Sequence, residues 1–261
     1  MNNNLANPLE ILKEKSQQTW SGCIEIAEPE DSSIGWQIYL SQGKVQYATS
    51  TAGNQERLNY LWQEFKLGSD CPQVTAEKEY EQICQWCDRS SVTDLNLTEL
   101  LLKLNQEAIN QILSIENTAL KSFENRCLST TISDFLLKDL VSQKSIAFWK
   151  KTRQDIKSPC ARLDIKKDNS FKFYKLWKEL SQDSQFNDFA NSHKLSSILD
   201  YCSQNLVFYN FAALVNLDIL SLVGYFQEFI KTGIVELKPF AEVKSTAKTA
   251  NNISAKKTNL N

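Results

Sequence analysis

Residues 20–48 read Trp20-Ser21-Gly22-Cys23-Ile24-Glu25-Ile26-Ala27, an acidic insert Glu28-Pro29-Glu30-Asp31-Ser32-Ser33, then Ile34-Gly35-Trp36-Gln37-Ile38-Tyr39-Leu40-Ser41-Gln42-Gly43-Lys44-Val45-Gln46-Tyr47-Ala48. Ile24 and Ile26 alternate with Cys23, Glu25 and Ala27. Trp36, Ile38 and Leu40 share one face of the next run, with Gln37 and Tyr39 on the other. Val45 and Tyr47 then alternate with Lys44 and Gln46. Alternation with a period of two marks half-buried antiparallel strands. Ser41-Gln42-Gly43 places glycine where a tight turn needs positive φ, so the second and third strands are expected to form a hairpin. The acidic insert reads as an exposed loop. A three-stranded meander without a cleft-building loop suits a scaffold or docking element.

Outward from the meander the pattern turns helical. Pro8 opens a short helix. Leu58, Leu61, Trp62 and Phe65 recur at helical spacing over 55–67, and Tyr80, Ile83, Cys84 and Cys87 do so over 77–87. The clearest helix spans 98–114, with Leu97, Leu100, Leu101, Leu104, Ala108, Ile112 and Ile115 as its stripe. Residues 115–128 are expected to be a strand pair, and 132–149 a further helix. Residues 171–237 look like a second compact unit of helices ending in a short strand, Ile234-Val235-Glu236-Leu237, in a winged-helix-like order. From 241 onward large apolar residues nearly vanish, and this tail is expected to be disordered. The fold expected is α+β: an N-terminal domain over 1–150, a basic linker over 151–170, a helical winged-helix-like subdomain over 171–240 and a tail over 241–261.

The chain has 261 residues and a formal net charge of −2, but its charge is unevenly placed. Between Lys138 and Lys178 lie twelve basic residues against four acidic ones. Such a split creates a local positive field in a slightly acidic protein. It fits either a docking surface for an acidic partner or a solvated linker. Trp149, Lys150, Lys151, Arg153, Arg162, Lys166, Lys167 and Trp177 are the candidate contact residues, because aromatic and arginine side chains anchor protein interfaces.

Several function classes lose support. Seven cysteines, an odd number spread along the chain, fit a reducing compartment. Cys84-Gln85-Trp86-Cys87 falls in mid-helix, where a redox pair would lack the helix N-terminus that lowers a thiol pKa. His193 is the sole histidine and stands in a polar stretch, with no nucleophile elbow or metal motif around it. No enzyme activity, cofactor or metal is expected. The most apolar run, 206–230, contains Asn210, Asn216, Asp218, Gln227 and Glu228 and is too polar for a bilayer. With no readable signal peptide, a cytoplasmic protein is expected. Basic residues interleave with Phe148, Trp149, Phe171, Phe173 and Tyr174, a mixture that can bind nucleic acid. However, the helix that would enter a groove, 219–230, carries Glu228 and no Arg or Lys before Lys231.

The meander wording also resembles a family. Gly22-x-Ile24-x-Ile26 and Trp36-x-Ile38-Tyr39-Leu40-x-x-Gly43-x-Val45-x-Tyr47-Ala48 are similar to the PATAN domain of cyanobacterial CheY-like response regulators. Arg57-Leu58-x-Tyr60-Leu61-Trp62 stands where that family has a helix rich in Arg, Trp and aliphatic residues. Ser158-Pro159-Cys160-Ala161 resembles its Ser-Pro-x-Ala stretch, with Arg162 in place of the usual proline. The resemblance covers roughly residues 5 to 240. It implies a signalling output protein acting by protein contacts in two-component signalling, in type IV pilus motility and phototaxis or in cell differentiation. The implied partner is a pilus motor ATPase or a receiver protein. Family members typically carry a receiver after this domain, and no doubly wound βα series is visible here. The alternative is a DNA-binding transcriptional regulator using the C-terminal unit.

Overall fold

The computed structural model describes residues 5–240 except 30, 32, 69, 90–93 and 129–131, with the backbone alone at Asp94 and Lys167. The tail expected to be disordered lies outside the described residues. The fold is α+β, as the sequence indicates.

The meander forms as read: β2 (Gly22–Ala27), β3 (Gly35–Ser41) and β4 (Lys44–Ser50) pair antiparallel in order. Gln42 and Gly43 both take positive φ, 49° and 77°, the two-residue turn whose twist matches a right-handed hairpin. A Cβ on Gly43 would collide with the Ser16 carbonyl, so glycine serves there twice. One expectation changes within β4. The register shifts between Tyr39 and Leu40, leaving Gln46 as the extra residue of a bulge, and Gln46 is buried rather than solvent-facing.

Residues 115–128 give one strand, not a pair. β5 (Thr118–Glu124) joins the outer edge of β2, and a two-residue β1 (Leu5–Ala6) joins β5. The sheet order is therefore β1-β5-β2-β3-β4, all antiparallel. Between β1 and β2 runs α1 (Pro8–Gln17), capped by Asn7, whose side chain accepts from Leu9 N at 2.9 Å.

Across the sheet's apolar face lies α4 (Asp94–Ile112), with α2 (Asn54–Glu64) beside it, and α3 (Glu79–Arg89) comes between them in the chain. Every residue of the expected α4 stripe is buried. The outer edge of β4 is closed by two devices, as exposed strand edges require. Asn105 Oδ1 accepts from Ala48 N at 2.6 Å, and Val45 exchanges two 2.9 Å backbone bonds with Phe135. That bridge also explains why 132–149 is not one helix. Phe135 is held extended, α5 (Leu137–Leu140) is a single turn, and α6 (Gln143–Thr152) starts anew at Ser142, which caps Ser145 N.

Residues 151–170 are not a solvated linker. Thr152, Ile156, Ser158, Cys160, Ala161, Leu163 and Ile165 are buried. Ser158 closes a turn by accepting from Cys160 N at 3.1 Å and, through its carbonyl, from Ala161 N at 3.0 Å. Next comes β6 (Arg162–Asp164), which pairs with β7 (Glu236–Lys238). Between these strands stand α7 (Ser170–Leu180), α8 (Ser184–Ser192), α9 (Leu195–Ser203), α10 (Phe208–Val215) and α11 (Ile219–Lys231). The axes of α10 and α11 differ by 111° across Asn216-Leu217-Asp218, within the helix-turn-helix range. α8 has no counterpart in the sequence reading. α10 packs on α2, and α11 on α6, so one apolar core runs from the sheet into these helices. No single helix among the described residues is long and apolar enough to cross a membrane.

Candidate interaction surface

The eight candidate contact residues separate by burial. Trp149 is 3% exposed and packs edge-on against Phe148. Trp177 is 7% exposed, inside a cluster with Phe173, Phe186, Phe189 and Phe229. Both indoles are core groups and cannot anchor a partner; this corrects the sequence reading. Helical spacing decides their fate, since each faces the interior from an amphipathic helix.

Arg153 is occupied as well. Its Nη1 donates to Glu28 Oε1 at 2.6 Å and to Lys157 O at 3.3 Å, Nε to Ser114 Oγ at 2.6 Å, and Nη2 to Gln111 O at 2.9 Å. It thereby terminates α4, where a cation is favoured. Glu28, expected in an exposed loop, is buried because Arg153 reaches it. Arg162 donates to Asn205 O at 3.1 Å and lies 4.8 Å from the Phe240 ring centroid. Lys166 pairs with Glu236 at 2.5 Å on the surface. The Lys167 side chain falls outside the described residues. Lys150 and Lys151 are exposed on α6.

A different aromatic pair reaches solvent. On α7, Phe173, Leu176, Trp177 and Leu180 turn inward. That leaves Phe171 77% exposed and Tyr174 51% exposed on the opposite side, with Lys172, Lys175 and Lys178 exposed around them. Phe171, Tyr174, Lys175 and Lys178 follow the i, i+3, i+4, i+7 spacing of a single helix face. The 3.6-residue pattern of α7 already held this division. Residue type points to the tryptophans, whereas the helix face assigns Phe171 and Tyr174 to the surface.

The interior carries one strongly polar cluster. Glu79 on α3 receives Arg57 Nη2 at 3.1 and 3.2 Å, Asn54 Nδ2 at 2.8 Å, and the Thr49 hydroxyl. Arg57 and Glu79 are each 1% exposed. Burial works against the Arg57 charge, but the Glu79 carboxylate, together with the Tyr47 and Tyr209 phenols, holds the guanidinium pKa above its ordinary value. The cluster ties β4, α2 and α3 together. Its neighbour Glu107 accepts from Tyr209 Oη at 2.7 Å, and burial raises its carboxyl pKa against the pull of that bond and of Arg57.

Cys84 and Cys87 lie buried within α3, and burial pushes their thiols up to about 12 and about 11. Thiols held protonated are poor nucleophiles and poor metal ligands. His193 sits at the end of α8 with Nδ1 3.1 Å from Phe189 O and Nε2 3.1 Å from Val215 O, so both ring nitrogens serve helix ends. Among the described residues no group of three or more His, Cys, Asp or Glu side chains could hold a metal ion. Compared with protein-family models, curated proteins and solved structures, the chain finds no match.

Proposed function

We propose that this chain is a non-enzymatic cytoplasmic adaptor that works by protein contacts. The observation that carries this reading is the outer face of α7, where Phe171 and Tyr174 stand exposed among lysines. Two aromatic rings left in water on a folded helix are unfavourable unless something covers them, and aromatic groups are enriched at interface hot spots. Surrounding lysines select an acidic partner and speed its encounter. The PATAN resemblance supplies the setting: an output protein of cyanobacterial two-component signalling, joined to a type IV pilus motor ATPase or a receiver protein, in motility and phototaxis or in cell differentiation.

The test is affinity capture with mass spectrometry, comparing wild type with Phe171→Ser/Tyr174→Ser and with Lys150→Glu/Lys151→Glu. Recovery of a pilus motor ATPase or receiver protein, lost in the aromatic variant, supports the adaptor and its surface. Recovery unchanged in both variants would move the interface elsewhere. Absence of any specific partner would sink the adaptor reading.

The 111° helix pair keeps a DNA-binding alternative in view. Two features argue against it. β7 pairs with β6, which precedes the helices, instead of forming a hairpin after α11. α6 also lies along α11: Gln227 donates to Asp155 at 2.9 Å, and Phe148 packs beside Gly224. Fluorescence anisotropy with duplex DNA, showing no salt-dependent binding, is the expected result.

A further inference from the structure

A second feature involves no residue of α7. Between α2, α4, the start of α6 and the start of α11 opens a cleft of about 260 Å³. A smaller cavity of about 170 Å³ adjoins it and shares Tyr60, Glu64 and Asp218 as walls. Leu140, Val141, Ile219 and Leu220 give the larger cleft an apolar side, and Tyr60 and Trp149 add rings to it. Apolar walls with a few placed polar groups are the usual make-up of a small-molecule site.

The charged groups of the cleft are mostly acidic. Glu64, Glu107 and Asp218 line it against one cation, Lys103. Lys103 stands 3.9 Å from Glu64, and both side chains are exposed, so that pair is loose and screened. Glu107 takes the Tyr209 hydroxyl on Oε2 and has no donor for Oε1 among the described residues. Arg57 also acts on Glu107 but is committed to Glu79. The Tyr60 phenol registers the balance. Its pKa is held above the ordinary value by burial first and then by Glu107, Glu64 and Asp218, against the Ile219 N–H bonded to it. All three carboxylates therefore act on one space.

Three carboxylates around one space suggest a metal ion, yet they do not form a group that could hold one. A hard cation needs its oxygen ligands within a single coordination shell. A cation that answers spread carboxylates must carry its charges apart, and the apolar walls between them favour methylene contact. A linear aliphatic diamine has that form, with an ammonium at each end of an apolar stem. Ammonium groups are also attracted to the faces of tyrosine and tryptophan rings.

We propose that this cleft binds a linear aliphatic diamine or polyamine, one ammonium donating to Glu107 Oε1 and the other held by Glu64 and Asp218. The site does not rest on the reading given to the α7 face. A ligand there touches α2, α4, α6 and α11 together, so the level of a small amine would set how firmly these helices are held to one another.

Isothermal titration calorimetry on the full chain tests this with putrescine, butylamine and magnesium chloride. Putrescine is expected to bind about tenfold or more tighter than butylamine, since its second ammonium engages at high effective concentration. Its affinity should fall as salt rises. Glu64→Gln and Glu107→Gln should each weaken putrescine binding about tenfold, the scale of one lost charge-assisted contact. Glu64 is exposed, so its variant keeps the test open even where Glu107→Gln disturbs the fold. The proposal is overturned if putrescine binds no tighter than butylamine, or if magnesium at equal concentration displaces it. It is equally overturned if either folded variant binds putrescine like wild type.

Discussion

Glu28 and Arg153, 125 residues apart, meet at 2.6 Å where the end of the first meander strand touches the last turn of α6. Glu28 is almost wholly enclosed while Arg153 keeps a narrow face to water, with side-chain exposures of 1% and 14%. Removing the arginine alone would strand an enclosed carboxylate and take one of three donors from the carbonyl of Gln111, which keeps Ser114 N and Oγ. Arg153→Met is therefore expected to cost about 3 kcal/mol, the lower end for a broken buried pair. Glu28→Gln/Arg153→Met should recover part of that loss. Denaturant unfolding of wild type, both single variants and the double variant closes the cycle, and losses of the two single variants that simply add in the double variant would show that the pair is not coupled.

Two aromatic residues on α7 separate the surface from the core. Trp177→Ala is expected to cost about 3–5 kcal/mol, the usual result of emptying a packed aromatic site. Phe171→Ser should stay within about 0.5 kcal/mol of wild type, as exposed positions do. Thermal unfolding of the two variants decides this, and a large loss in Phe171→Ser would mean that the ring is buried in solution.

Thiol reactivity should follow the enclosure of each cysteine. Cys127 is exposed, Cys71 is partly exposed, and Cys23, Cys84, Cys87, Cys160 and Cys202 are buried. In the native protein a disulfide reagent should modify Cys127 first and Cys71 slowly, with the rest reacting only in denaturant. Mass mapping of labelled peptides over time checks the order. Rapid modification of Cys160 or Cys202 without denaturant would contradict the packing described.

Alkaline conditions should weaken the fold. Burial pushes the Cys160 and Cys202 thiols up to about 12 from an ordinary 9.0, and it holds the Tyr47 and Tyr209 phenols well above 10.0. These groups keep their protons when folded and lose them when unfolded. Their contribution is complete below the unfolded pKa and declines as pH climbs toward the folded value. Between pH 8 and pH 10 each of the two thiols should remove roughly 1 kcal/mol of stability. Unfolding midpoints under reducing conditions at both pH values measure this, and Cys202→Ala should show a shallower decline than wild type.

Local periodicity reached the meander, the α4 stripe and the positive φ of Gly43, because each is fixed by residues within a few positions of one another. It could not reach what distant segments decide. β5 looked like half of a local strand pair, yet its partner is β2, paired through Cys23 and Phe123. Glu28 looked solvated by every local rule, and only Arg153 makes its burial tolerable. α8 was missed because Phe186 and Phe189 give just one helical interval among polar neighbours, and their partners Trp177 and Tyr225 lie on other helices. The contact residues failed for another reason. Residue type marks tryptophan as an anchor, but the stripe of the helix that carries it decides which way it faces.

The sheet order has a consequence for synthesis on the ribosome. β2 can pair with β3 soon after both emerge, but its other edge waits for β5, about a hundred residues later. At ordinary translation speeds that interval lasts about 5–20 s. Throughout it, Ile24 and Ile26 belong to a strand with one open side, a template for wrong pairing. Slower elongation through residues 50–118 would lengthen the hazard, and a chaperone that shields extended apolar segments would shorten it.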